Sequence, residues 1–241
     1  MARHSKWHKV RQFKGAIDAK RAASFTKLSH EITIAVKEKG PDISTNVRLK
    51  VAIERAKKAS MTKDTIERAI ARGTGVGGEG QIESLRYEAY GPGGTALIVE
   101  CTTDSRNRST NDVKHLVSKA GGSFAATGAV TYLFDHIGTV TVSGASVSAP
   151  MSDDVMMMLI DAGASDVVPH EETTDIRCAT NDLTKVADAA QKQGFTVEAA
   201  EFEWLPKTTV ELDDEKGAEL ADLVDKLEEL DDVSHVYTNA S

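Results

Sequence analysis

The chain has 241 residues, 40% of them hydrophobic, and a formal net charge of −8. That content sustains packed cores in two or three domains and excludes a disordered chain. No apolar run approaches the ~18 residues of a membrane span. The charge is unevenly placed: residues 1–80 hold 18 Lys and Arg against 8 Asp and Glu, net +10, and residues 81–241 hold 11 against 29, net −18. Such a division points to a polyanionic partner for the basic part.

In chain order, the segment HSKWHKVRQFKGAIDAKR, residues 4–21, sets Lys6, Lys9, Arg11, Lys14, Lys20 and Arg21 against one acid, Asp18. Each cation, with Lys27 beyond them, can neutralise a phosphate. Trp7 and Phe13 interleave with them, and an aromatic ring among cations can stack on an unpaired base. From Asp18 to Lys39, Phe25, Leu28, Ile32 and Val36 recur at helical spacing, and GPDIS at 40–44 breaks the helix. A second helix spans about Asn46 to Ala59. Its apolar face is Leu49, Ala52, Ile53 and Ala56, while Arg48, Lys50, Arg55, Lys57 and Lys58 lie mostly off that face. Thr62 is placed to cap a third helix, with Met61 and Ile66 spaced as a hydrophobic staple and Gly73 as its stop.

GTGVGGEG, residues 73–80, reads as a flexible linker. It also matches G-x-G-x-x-G at Gly73, Gly75 and Gly78. A dinucleotide loop must follow a strand and open a helix, however, and this one follows a helix. Beyond it the period shifts. Strands are expected at 95–103, 129–134, 139–143, 165–169, 173–180, 195–205, 208–212 and 233–238, with helices at 106–120, 153–163, 181–193 and 214–229. The central run reads β-α-β-β-α-β, and a similar order appears when its flanks are joined. The expectation is an α+β protein of three domains. A basic helical domain covers 1–76, a discontinuous α/β domain covers 77–135 and 206–241, and an inserted α/β domain covers 136–205, both α/β domains being ferredoxin-like (split βαβ). Two sequential domains are the alternative.

Residues with catalytic chemistry are sparse. The His at 4, 8, 30, 115, 136, 170 and 235 show no ligand or triad spacing, and Cys101 and Cys178 stand alone in apolar strands. No metal, cofactor or small-molecule substrate is expected, and the chain is not read as an enzyme. The acids of 211–232 alternate with leucines as the solvated face of a helix, and Met156, Met157 and Met158 read as core filling. In TTDSRNRST, 102–110, Asp104 or Ser105 is placed as the helix cap. Arg106 and Arg108 then lie in the first turn, against the helix dipole, where an anionic ligand would offset them.

These residues resemble the YebC family, which includes a mitochondrial translational activator of cytochrome c oxidase subunit I. The matching pieces are HSKW, DAKR, FTKL, HEIT, NVRLKVAI, AKKASM, KDTIERAI, YEAYGPGG, IVECTTDSRNR, SKAGG and GAVTYLF, in order over residues 1–134. The resemblance begins at Met1, which argues against a cleaved transit peptide. It implies three domains around a central cleft, the third inserted in the second. Thr62 stands where the family usually has Pro, so a Thr cap must start that helix. The family includes members labelled as DNA-binding transcriptional regulators and others that resemble ribosome-associated translation factors. The expected function is therefore a cytoplasmic, monomeric regulator of gene expression that binds RNA or the ribosome. Its contacts would be Lys6, Trp7, Lys9, Arg11, Lys14, Lys20, Arg21, Lys27, Arg48, Lys50, Lys57, Lys58, Arg106 and Arg108. A DNA-binding transcriptional regulator is the alternative; no membrane partner is expected.

Overall fold

A computed structural model describes residues 19–75, 82–144 and 151–241, with side chains from residue 25 onward. The described residues form an α+β protein with seven α-helices and two four-stranded sheets. By contacts the chain divides into two compact units. Of the described residues, one unit comprises 19–30, 82–135 and 204–241; the other comprises 31–75, 136–144 and 151–203.

In the first unit, strands β1 (Glu83–Tyr90), β2 (Ala96–Thr103), β3 (Ser123–Ala125) and β8 (Val233–Thr238) form an antiparallel sheet in the order β3-β1-β2-β8. Along β1, Leu85, Tyr87 and Ala89 alternate towards a core shared with Val113 and Val117 of α4 (Arg106–Lys119) and Leu220, Leu223 and Leu227 of α7 (Asp214–Glu228). A smaller apolar cluster joins Ala96 and Ile98 of β2 to Val130, Phe134 and Trp204. The hairpin turn between β1 and β2 needs glycine: Gly93 sits at φ +70°, and a Cβ there would meet Leu212 at 2.4 Å.

Three parts of this unit differ from the sequence expectation. β1 and β3 were not expected. Residues 129–134 hold a 3-10 turn, Thr131–Leu133, rather than a strand. The cause is Glu88, whose carboxylate accepts the backbone N–H groups of Gly128 (2.7 Å), Val130 (2.7 Å) and Thr131 (3.0 Å) that a ladder would have used. Residues 208–212 make only an isolated bridge, Val210 to Ala240, before Asp213 caps α7 by accepting from Lys216 N.

The second unit holds α2 (Val47–Lys58), α3 (Lys63–Gly73) and the later part of α1 (Ala19–Lys39), with β4 (Phe134–Ser143), α5 (Asp153–Asp161), β5 (Ala164–Pro169), β6 (Thr174–Ala179), α6 (Leu183–Lys192) and β7 (Thr196–Pro206). Its strand order is β5-β6-β4-β7, with β6 antiparallel to both β4 and β5. Val140, Ile176, Leu159, Val186 and Phe195 pack one core with Val47 and Val51 of α2. Among the helices, Asn46 caps α2 by accepting from Leu49 N at 3.0 Å while its amide donates to the carbonyls of Ala35 and Gly40. Thr62 caps α3, accepting from Thr65 N at 3.3 Å, and Met61 and Ile66 beside it are both buried. Gly73 lies so close to α1 that a Cβ would meet Val36 Cβ at 2.6 Å. The rest of the linker, 76–80, lies outside the described residues. Cys101 and Cys178 are free and buried, and burial, with nearby carboxylates, pushes their thiols up to about 12 and about 11.

Candidate nucleic-acid interface

The expected contacts Lys6, Trp7, Lys9, Arg11 and Lys14 lie outside the described residues. Lys20 and Arg21 fall in the first turn of α1. Lys27 donates from Nζ to the carbonyl of Glu228, the last residue of α7, where a cation also suits the helix dipole.

The cations of α2 are largely engaged. Arg48 pairs with Glu38 and lies 4.8 Å from the ring centroid of Phe202, and Lys50 donates to Gln191 Oε1 at 3.1 Å. Lys58 pairs with Glu198 at 2.6 Å. Lys57 is exposed and has no ion pair among the described residues. The carboxylates responsible come from α1 and β7, a pairing across distant sequence that no local pattern displays. Arg55 joins this set between Glu31, at 3.0 Å, and Glu201. Burial raises Glu31 to about pH 7, helped by the Glu201 charge and opposed by the guanidinium of Arg55.

In the first unit, Ser105 is the N-cap of α4 by position but makes no side-chain cap bond. Asp104 turns instead to Arg108, at 3.0 Å. Arg108 also reaches both oxygens of the buried Asp232 at 2.9 Å. Arg106 is held more loosely, 3.5 Å from Glu83 and about two-thirds exposed. The charge opposed to the helix dipole is thus offset from within the chain. Arg108 lines a cleft of about 480 Å³ together with His30, Asp104, Asp112, Asp231 and Asp232. Four carboxylates against one guanidinium make that cleft a poor seat for phosphate. Among the described residues no group of three or more His, Cys, Asp or Glu is placed to hold a metal ion, and no helix is long and apolar enough to cross a membrane.

A two-unit α+β chain with a basic first third and an acidic remainder is the class of protein that these features define. Comparison with known proteins gives the family. The description "TACO1/YebC protein N-terminal domain" matches residues 5–76, and "TACO1/YebC second and third domain" matches residues 82–240. The chain belongs to the TACO1/YebC family. It is 44% identical over 240 residues to a protein of Dehalococcoides mccartyi named "probable transcriptional regulatory protein", covering 100% of this chain and 94% of that one. A relative of the same name from Methylococcus capsulatus is 47% identical over 242 residues, covering 100% and 96%. The crystal structure of a conserved hypothetical protein from Aquifex aeolicus is similar with a TM-score of 0.85 and 39% identity, covering 98% of this chain and 97% of that one.

Proposed function

We propose that this protein is a non-enzymatic regulator of gene expression that binds nucleic acid, with RNA or the ribosome as its target. The observation that carries the reading is the charge division, net +10 in residues 1–80 and −18 beyond, in a chain whose relatives are named "probable transcriptional regulatory protein". The acidic remainder would be repelled by a long duplex but is compatible with a mixed protein–RNA surface. The contacts are the basic arm, Lys6 to Lys27 with Trp7, joined by Lys57 and the loosely held Arg106. The protein acts in the cytoplasm as a monomer. A division into three domains, two of them ferredoxin-like, completes the reading. It is supported by the β-α-β-β-α-β order of β4 to β7 and by the break between family descriptions at residues 76 and 82.

One observation favours DNA instead. Only four residues, 59–62, join α2 to α3, the length of a helix-turn-helix connection, and Ser60 there adopts φ +66°. Against it, the exposed start of α3 carries Asp64 and Glu67, and Arg68 is paired with Asp64 at 2.8 Å. The test is paired titration of the protein against purified ribosomes and against promoter and random DNA duplexes. Tight ribosome binding with weak duplex binding is expected. Tight promoter binding, with ribosomes bound no better than random RNA, would replace the reading with the transcriptional one.

A further inference from the structure

Helix α5 buries one face and leaves the other bare. Leu159 is fully buried, and Val155 packs against the same core. On the outer side Met157, Met158 and Ile160 are 64%, 41% and 57% exposed. Single exposed apolar residues are ordinary on a surface, but here three fall within four residues of one helix, and Met157 and Ile160 are neighbours one turn apart. The sequence reading of these methionines as core filling therefore fails for two of the three. The thioether of Met158 accepts a hydrogen bond from Gln193 Nε2 at 3.0 Å, which leaves Met157 and Ile160 the barest.

The patch is framed by carboxylates. Asp153 and Asp154 stand in the first turn, where they suit the helix dipole and follow the Ser152 cap. Asp161 has no such local reason: it lies at the C-terminal end, where a negative charge opposes the dipole, and it makes no ion pair among the described residues. The helix contains no Lys or Arg.

We propose that this face docks a basic amphipathic segment of another protein, whose apolar side chains cover Met157, Met158 and Ile160 while its cations reach Asp153, Asp154 and Asp161. Electrostatics select a basic occupant. Nucleic acid and anionic lipid would meet like charge. Two copies of α5 packed antiparallel would oppose Asp153 and Asp154 of one to Asp161 of the other. Methionine suits the role because its flexible, polarisable side chain adapts to different apolar partners.

The experiment uses the full chain and a fluorescein-labelled helical peptide of leucines and lysines at amphipathic spacing, with a glutamate-for-lysine peptide as control, read by anisotropy. The lysine peptide is expected to bind and the glutamate peptide not to bind. Met157→Ser combined with Ile160→Ser should weaken binding about tenfold. Asp161→Lys should weaken it and reduce its salt dependence. Both variants change exposed side chains, and thermal melts matching the wild type verify their fold. Wild-type affinity in the double variant, or equal binding of the glutamate peptide, overturns the proposal. So does a concentration-dependent dimer in sedimentation that the double variant abolishes, which would make the occupant a second copy. None of these outcomes depends on nucleic-acid binding.

Discussion

The guanidinium of Arg108 holds both carboxylate oxygens of Asp232, a residue only 8% exposed. Arg108 therefore first fastens α4 to the segment entering β8, whatever else it contacts. Replacing Asp232 with Ala should lower stability by about 1–3 kcal/mol, as expected for losing a charged hydrogen-bonded partner. Arg108→Glu should cost more, because it sets a carboxylate against Asp232. Urea unfolding at neutral pH measures both, and wild-type midpoints would show that the pair is ornamental. Arg106→Glu is accordingly the cleaner probe of ribosome binding in this loop, and it should weaken association without a change in melting temperature.

Glu88 is 2% exposed, and its carboxylate serves three backbone N–H groups. Burial opposes its charge, but the hydrogen bonds from Gly128, Val130 and Thr131 prevail and hold its pKa below the ordinary value. Its contribution is thus present above about pH 4.5 and lost as pH falls through the lower folded-state value. Glu88→Ala should destabilise by roughly 3 kcal/mol or more, since three donors lose their acceptor. It should also remove part of the acid-side loss of stability. A variant as stable as wild type would mean that the loop 126–131 relaxes to find other acceptors.

Glu31 carries the opposite sign. Its folded pKa is raised to about 7, so between pH 4.5 and 7 the folded protein keeps a proton that the unfolded chain has released. Stability therefore falls as pH rises across that window, on the order of 1–2 kcal/mol given the side chain's partial exposure. Glu31→Gln should flatten the fall. Denaturation midpoints at pH 5, 6, 7 and 8 for both proteins decide it, and parallel profiles would refute the assignment.

Recognition of single-stranded RNA through the arm predicts a salt slope. About six phosphates neutralised give log K against log[salt] a slope of about −4. Lys6, Lys9 and Lys14 changed to Ala should make it shallower by about 2. Affinity indifferent to salt would reject electrostatic recognition by this segment.

Helices with strong caps and clear periodicity were legible from sequence. Thr62, Asn46 and Gly73 mark α2 and α3 almost to the residue, because capping is local chemistry. β1 escaped because ESLRYEAY carries Glu and Arg between its inward residues and has no β-branched side chain to announce a strand. The 3-10 turn at 131–133 escaped because its cause, Glu88, lies more than 40 residues away. The charge division was legible as composition. Its partial cancellation in α2 was not, since Glu31, Glu198 and Glu201 reach Arg55 and Lys58 only through the fold.

The two native thiols have a practical consequence. With their pKa values near 12 and 11 and their sulfurs enclosed, Cys101 and Cys178 stay protonated and should ignore maleimide at neutral pH. A cysteine introduced at an exposed position such as Lys57 or Asp153 would then be the sole reactive handle on the described surface. Dyes or spin labels could be attached there in the otherwise native chain, without first stripping sulfur from the two cores.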